Sequence, residues 1–357
     1  MAFTAGEITN IFNSSLDFFF NRGDYFPQTL QARPFLDKME RGKKEFPGGK
    51  SDISLAILGE YGDGSGNDVL KGYHHLDVVK FMTPANMKRA AYPWRETHIG
   101  LSFSHTEAKI DGISITDDRD AMSNHSQREL TVLVNLIQTK LESLAEQYAR
   151  SMNTMLYSDG TADPKGFAGL QSIILDNPAV GTTGGIDRVT TAFWRNRART
   201  AASAAAGGLG PLKFNVADGG SILQALSWEY RQLIRYGGKP NFAVCGSDFL
   251  DAMERERRAN ALYSTTGVTG SDDVSIGATK YLNTTFVYDP TLDDMNMSKR
   301  CYWLDTSKIF LMAMQGEWRK DHNPTRPADQ FIVFKSITST GQLVASQLNS
   351  SIVMDIE

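Results

Sequence analysis

The amino-acid sequence predicts an α+β protein with more than one core, in which one domain is split by the insertion of another. Three observations carry this. Residues 126 to 157 contain neither glycine nor proline and then meet Ser158-Asp159-Gly160, the pattern of one long helix with an abrupt end. From Asp159 to about Gln315, strand-like and helix-like segments alternate over a length that one α+β core serves. The tail, Phe331 to Val333 and then Gln342 to Ile356, is strand-like and ends on Ile352, Val353, Met354 and Ile356, too apolar to hang free in water. At 357 residues the chain is long enough for two or three cores.

Taken in order, residues 1–50 place Phe12, Phe18, Phe19, Phe20, Tyr25 and Phe26 among Asn21, Arg22, Gly23, Asp24, Pro27, Pro34 and Pro47, so no periodic face survives. An apolar but unpatterned segment closes no core of its own, and this one reads as an arm that reaches a neighbouring chain. Residues 51–105 read as a long two-stranded loop: Ser51 to Leu58 runs out and glycines 59, 62, 64, 66 and 72 make the tip. The return passes through Asp77 to Met82 and then Glu96 to His105, where Ile99, Leu101 and Phe103 alternate with Gly100, Ser102 and Ser104. Such a ribbon buries little by itself and calls for a partner.

The helix at 126–157 carries Leu130, Leu133, Val134, Ile137, Leu141, Leu144, Ala145, Tyr148, Met152, Met155 and Leu156 at three- and four-residue steps, with Gln138, Lys140, Glu142, Glu146 and Arg150 opposite. One face therefore packs, along a rod of ~48 Å. With residues 106–160 and 316–357 it forms one domain, the closing strand pairing in the sheet that the helix backs. Residues 161–315 form the inserted domain. In it Ile186-Asp187-Arg188 opens a polar helical region through Phe193-Trp194-Arg195, and Ser221 caps a helix that ends at Gly237-Gly238. Phe242 to Cys245 is a buried strand, Ser247 caps a second helix, and Thr285 to Tyr288, Tyr302 to Leu304 and Ile309 to Met312 are further strands. Ser264 to Gly277 is a mobile loop by composition.

A formal net charge of -4 without a basic block leaves no electrostatic footprint for tight nucleic-acid binding, so any DNA the protein surrounds is not gripped. Cys245 and Cys301 belong to no CxxC pair and lie in apolar contexts, as small buried hydrophobes in a reducing compartment do. No secretory signal opens the chain, and no run approaches the roughly 18 apolar residues of a membrane span, so a soluble protein made in the cytoplasm is expected.

Catalytic, cofactor and metal motifs are expected to be absent. His74-His75, adjacent on a strand, point to opposite faces and share a metal poorly; the alternative is a polar loop base. Gly62-Asp63-Gly64-Ser65-Gly66 lacks the Gly-Lys-Ser/Thr of a phosphate loop and reads as a flexible tip. Asp289, Asp293 and Asp294 match no calcium loop and read as a solvated turn. No nucleophile-elbow pattern accompanies a serine, and Cys245 has no histidine near it in sequence. What stands out are Trp and Arg of the kind enriched where protein surfaces meet, in Tyr92-Pro93-Trp94-Arg95-Glu96 and again in Phe193-Trp194-Arg195-Asn196-Arg197, local packing being the other reading. The candidate subunit-interface residues are Phe18, Phe19, Phe20, Tyr25, Phe26, Tyr61, Tyr92, Trp94, Arg95, Trp194 and Arg195.

This order of parts resembles the major capsid protein fold of tailed bacteriophages along nearly the whole chain. The telling stretches are Tyr92-Pro93-Trp94-Arg95-Glu96, Met155-Leu156-Tyr157-Ser158-Asp159-Gly160, Gly166-Phe167-Ala168-Gly169-Leu170, Asn177-Pro178 and Gly184-Gly185-Ile186-Asp187. The resemblance implies an N-terminal arm, an extended two-stranded loop lying over a neighbour, a peripheral domain with a spine helix, and an axial domain gathered around five- and six-fold axes. It implies hexamers and pentamers of the chain itself in an icosahedral shell around packaged double-stranded DNA, a portal protein, and possible scaffolding and decoration proteins. The protein would reside in the virion after assembly in the host cytoplasm, with no enzymatic activity and no membrane partner. Because the chain begins at the arm, a scaffold, if used, is expected to be a separate chain; neither Lys71 nor Lys80 is singled out for an inter-subunit crosslink. Two alternatives are a bacterial nanocompartment shell of the same fold and an enzyme with a discontinuous domain.

Overall fold

The computed structural model describes residues 3–4, 33–59, 72–78, 87–110, 115–116, 127–213, 221–259, 278–282, 284–322 and 332–357. The expected mobile loop 264–277 and the glycine tip 62–66 lie outside the described residues.

The spine helix runs Gln127–Tyr157, 31 residues or about 46 Å. Leu141, Leu144, Ala145, Tyr148, Met152 and Leu156 are buried, and Ala149 and Tyr157 join them; Glu146 and Arg150 are exposed. The side chains of Leu130, Leu133, Val134, Ile137, Gln138 and Glu142 lie outside the described set. The helix stops where expected, with Gly160 at φ +79°, a conformation open to glycine. The end is also clamped from outside: the Gly169 N–H donates to Ser158 O at 2.9 Å, and a Cβ on Gly169 would lie 2.3 Å from Leu156 O.

One sheet, which this helix contacts, is built around the strand Ile332–Ala345. It pairs antiparallel with Arg95–Ser104 along one edge, from Ile332 opposite Ser104 to Gly341 opposite Arg95, and with Ile309–Met314 along the other. Lys44–Phe46 adds parallel to Ile309–Met314. A second, six-stranded sheet runs in the order 278–281, 284–288, 242–245, 300–304, 352–355, 197–199. Its central strands are buried on both faces. Phe242, Val244, Tyr302, Leu304 and Val353 face the core that the spine helix shares, whereas Ala243, Cys245, Phe286, Cys301, Trp303 and Met354 face the helices Ile222–Ile234 and Ser247–Ala259. The first of these helices is capped as expected: Ser221 Oγ accepts from Gln224 N–H, and Glu256 of the second accepts from the N–H groups of Ile222 and Leu223. Ser247 is itself helical, one step inside the end it was expected to cap.

Several expected assignments need correction. Pro34–Arg41 is a helix of this subunit's own core, with Phe35, Leu36 and Met39 buried, Phe35 against Tyr157 at 4.8 Å between ring centroids, and Arg33 paired with Glu146; arm character does not extend to residue 50. The strand that pairs with Asp52–Leu58 is Met87–Pro93, and Arg95–Ser104 belongs to the first sheet; of the expected return at 77–82, residues 79–82 lie outside the described residues. The strand Ile309–Met314 also belongs there: at Asp305 the chain folds back through N–H groups of Lys308 and Ile309 and changes sheets, so the insertion closes before residue 315. The last strand, Ile352–Asp355, pairs between Arg300–Leu304 and Arg197–Arg199 in the second sheet, not in the sheet built around Ile332–Ala345. Strands with both faces covered look alike in composition, and nothing in their apolar content says which sheet they join. Residues 182–187 form a small hairpin and only Ala192–Trp194 is a single 3₁₀ turn, in place of a polar helix.

Candidate subunit-interface surface

The ribbon pairs Asp52–Leu58 with Met87–Pro93 in antiparallel register, Asp52 opposite Pro93 and Leu58 opposite Met87. Alternation decides its faces: Ile53, Ile57, Ala90 and Tyr92 turn inward while Ser54, Ala56 and Arg89 do not. At its base the inward face already has a partner in the same chain. Ala91 N–H donates to Gly184 O at 2.9 Å, and a Cβ on Gly184, which sits at φ +59°, would press to 3.0 Å on Ala90 and on the Tyr92 ring. The Tyr92 hydroxyl donates to Ala345 O, and burial pushes its ionisation far above the ordinary tyrosine range. Lys88 Nζ reaches Thr191 Oγ1 at 2.6 Å, closing the other edge.

The second aromatic and basic cluster has Trp194 and Asn196 buried and Phe193, Arg195 and Arg197 half-buried. Trp194 is fully buried and its indole N–H donates to Thr183 O at 3.0 Å; Arg195 donates to the carbonyls of Arg188 and Val189, holding the preceding turn shut. Trp94 is half-buried, its N–H spent on Lys50 O, and half-buried Arg95 lines a small cleft with Tyr92 and Gly184. The structure thus brings Tyr92, Arg95 and Trp194 to one hairpin, 182–187, as packing of the subunit with itself. Tyr92 and Trp194 are sealed in the subunit's own core and have no surface to offer a neighbour, whereas Arg95 is only half-buried. Arg188, expected in a polar helical region, is instead the centre of this packing: wholly buried, it donates to Thr183 Oγ1, Asn196 Oδ1 and Ile173 O, with no carboxylate among these partners, and burial lowers its pKa to about 10.

Among the described residues, the most exposed large apolar side chains lie between the two ribbon strands in sequence. Tyr73, Leu76 and Val78 are 72%, 84% and 89% exposed, and Leu58 and Met87 at the far end of the paired strands are also open. A turn closed by Asp77 N–H to His74 O and His74 N–H to the Asp77 carboxylate presents them. Phe18, Phe19, Phe20, Tyr25, Phe26 and Tyr61 lie outside the described residues.

Of the groups weighed for chemistry, His74 and His75 are exposed, and among the described residues no three His, Cys, Asp or Glu side chains gather as metal ligands. Asp289 is not a solvated turn residue but fully buried. Its carboxylate accepts from Asn153 Nδ2, from the Tyr157 hydroxyl at 2.9 Å and from Thr291 N–H, so it caps the short helix Pro290–Asp294 and ties it to the spine. Burial, and next the Asp289 charge, raise the Tyr157 pKa well above its ordinary value. This is a bracket of the fold, closed to solvent. No described helix is long and apolar enough to cross a membrane.

A spine helix under a sheet that accepts a distal ribbon, with a second sheet and two helices inserted, is shared with solved structures over most of this length. A capsid subunit of cyanophage A-1(L) superposes with a TM-score of 0.64 at 15% identity, covering 91% of this chain and 93% of that one. The chain has the tailed-phage major capsid fold. The capsid of a native gene transfer agent particle agrees at a TM-score of 0.53 and 12% identity over 89% of both chains. That of the Myoviridae phage XM1 agrees at 0.50 and 11%, over 89% of this chain and 90% of that one. No family model and no curated protein matches the sequence, so the capsid fold is carried here by packing and topology with little identity in sequence.

Proposed function

We propose that this protein self-assembles into the icosahedral head of a tailed bacteriophage and encloses its packaged double-stranded DNA. One observation carries the reading: capsid subunits share the fold along about nine tenths of the chain, while the ribbon beyond its base leaves Tyr73, Leu76 and Val78 in water. Burying those groups needs a second copy, and a chain that donates a projection to the next copy forms a heterologous contact that closes into rings. In this reading residues 51–93 are the extended loop, the first sheet with the spine helix is the peripheral domain, the six-stranded sheet with its two helices is the axial domain, and the N-terminal arm lies before Arg33. Hexamers and pentamers are the assembly units, a portal protein occupies one vertex, and scaffolding and decoration proteins are accessory. The protein is then a structural part of the virion, put together in the host cytoplasm and without catalytic duty. The charge of -4 suits a wall along which DNA slides. Negative-stain microscopy of the purified protein, alone and co-expressed with its neighbouring genes, is expected to show closed shells; monodisperse monomers in both preparations would overturn the reading.

A further inference from the structure

Cys245 and Cys301 stand directly opposite each other on the antiparallel central strands of the six-stranded sheet. Just past them the Gly246 N–H donates to Arg300 O at 2.9 Å, which makes this the rung without its own pair of backbone hydrogen bonds. On such a rung the Cα atoms stand about 4.5 Å apart and the side chains are closest. That spacing falls within the ~4.4–6.8 Å span that a disulfide bridges. The two Sγ atoms are 3.1 Å apart, both free and both wholly buried beside Phe249, Met253 and Trp303. Packing of small hydrophobes explains burial. It does not require two sulfurs to face each other in register.

We propose that these two cysteines are a modification site: hydrogen peroxide converts them to a disulfide that covalently joins the strands Phe242–Cys245 and Arg300–Leu304. The bond would close a segment of 56 residues containing the helix Ser247–Ala259. Entry is at the end of the ladder, because Cys245 is the last residue of its strand and the chain turns away at Gly246, where any Cβ would strike Ser298 O. Opening of that one rung exposes a sulfur without unfolding the sheet. One thiolate attacks a peroxide oxygen; the O–O bond breaks, a sulfenic acid forms, and the released hydroxide takes up the thiol's proton and leaves as water. The second sulfur then attacks the sulfenic sulfur, its own proton leaving with the hydroxyl as a second water. Two thiols lose two electrons and peroxide becomes two waters. Burial holds the Cys301 thiol protonated at neutral pH, so in reducing solution the pair stays inert.

The full-length chain, treated with hydrogen peroxide while folded, then denatured and alkylated, tests this by intact mass and peptide mapping. Expected are a loss of about 2 Da in monomeric chains, both cysteines closed to alkylation and linked to each other, and full reversal by dithiothreitol. The melting temperature of the oxidised protein should exceed that of the reduced one. Cys245→Ser and Cys301→Ser should each abolish the mass loss. Two alkylatable thiols after treatment, oxygen addition without a crosslink, or a bond between chains would each overturn the proposal. The wild-type readout decides it even if a variant folds poorly, and it needs no assembled particle.

Discussion

At the scale of single residues, Asp289 shows how much one side chain organises. Its carboxylate holds the Asn153 amide, the Tyr157 hydroxyl and a helix-capping N–H in a place no water reaches. Asp289→Ala strands three buried donors, and since each costs ~1–3 kcal/mol when unpaired, a loss of roughly 3 kcal/mol is expected after partial relaxation. Urea denaturation measures it; a change below about 1 kcal/mol would mean that the bracket is not tight. Half of this was legible: Asp before Pro290 is a helix-start signal, but its other partners lie 132 and 136 residues away in sequence, and no local pattern announces burial. Tyrosines give a pH prediction. Burial raises Tyr302 to about 12 and moves Tyr148 and Tyr157 upward from the ordinary value of 10. Below pH 10 folded and unfolded chains alike keep these protons, so their stabilising effect is complete. Between 10 and 12 only the folded chain keeps them, and stability falls as pH rises. Tyrosinate absorbance should therefore lag behind free tyrosine and then rise together with loss of helix signal; smooth ionisation of all tyrosines near pH 10 in a folded protein would contradict the burial.

At the scale of elements, the spine helix and the segment that closes it are the best test of packing. Gly169 lies against the last turn so closely that a methyl group would meet Leu156 O at 2.3 Å and Met155 O at 2.5 Å, backbone atoms that have no room to retreat. Gly169→Ala should cost about 2–3 kcal/mol by overpacking, although alanine is otherwise at ease at this φ of -95°. A thermal melt within experimental scatter of wild type would show that 166–170 is not docked there. Elements with one strong period are readable in the sequence: the spine and the strand Phe242–Cys245 fall within a residue of expectation, and the helix Ile222–Ile234 starts as expected after Ser221 and ends three residues short of Gly237. The ribbon's return strand was not, because Met87-Lys88-Arg89 presents charge to solvent and Pro93 ends it, leaving only Ala90 and Tyr92 as an inward signal. The helix Pro34–Arg41 was missed for a similar reason. Two turns supply just Phe35, Leu36 and Met39 for burial, and the surface that makes them a core belongs to residues more than a hundred positions later.

For the whole molecule, the question is which apolar surface the subunit keeps for itself and which it offers. Aromatic and arginine content in sequence pointed to Tyr92, Trp94, Trp194 and Arg195, yet the fold uses the buried members of that set to hold the ribbon's base against the hairpin 182–187. Interface enrichment and core enrichment select the same residue types, so only the fold separates them. Among the described residues, the most exposed large apolar side chains, Leu76 and Val78, lie with Tyr73 in one stretch, held on a turn by Asp77. If that stretch seats on a neighbouring copy, then Leu76→Asp with Val78→Asp should leave the isolated subunit's stability within ~0.5 kcal/mol per site, because the two side chains are 84% and 89% exposed. Assembly should fail, because two carboxylates would be carried into a dry contact. The two effects are read separately, by thermal denaturation of the subunit and by the fraction of protein sedimenting as particles. Shells in normal yield from the double variant would place the contact elsewhere, whereas an unstable subunit would mean that the stretch folds back on its own chain. A folded subunit that no longer closes shells is the outcome expected of a projection whose apolar side chains are completed only by the next copy.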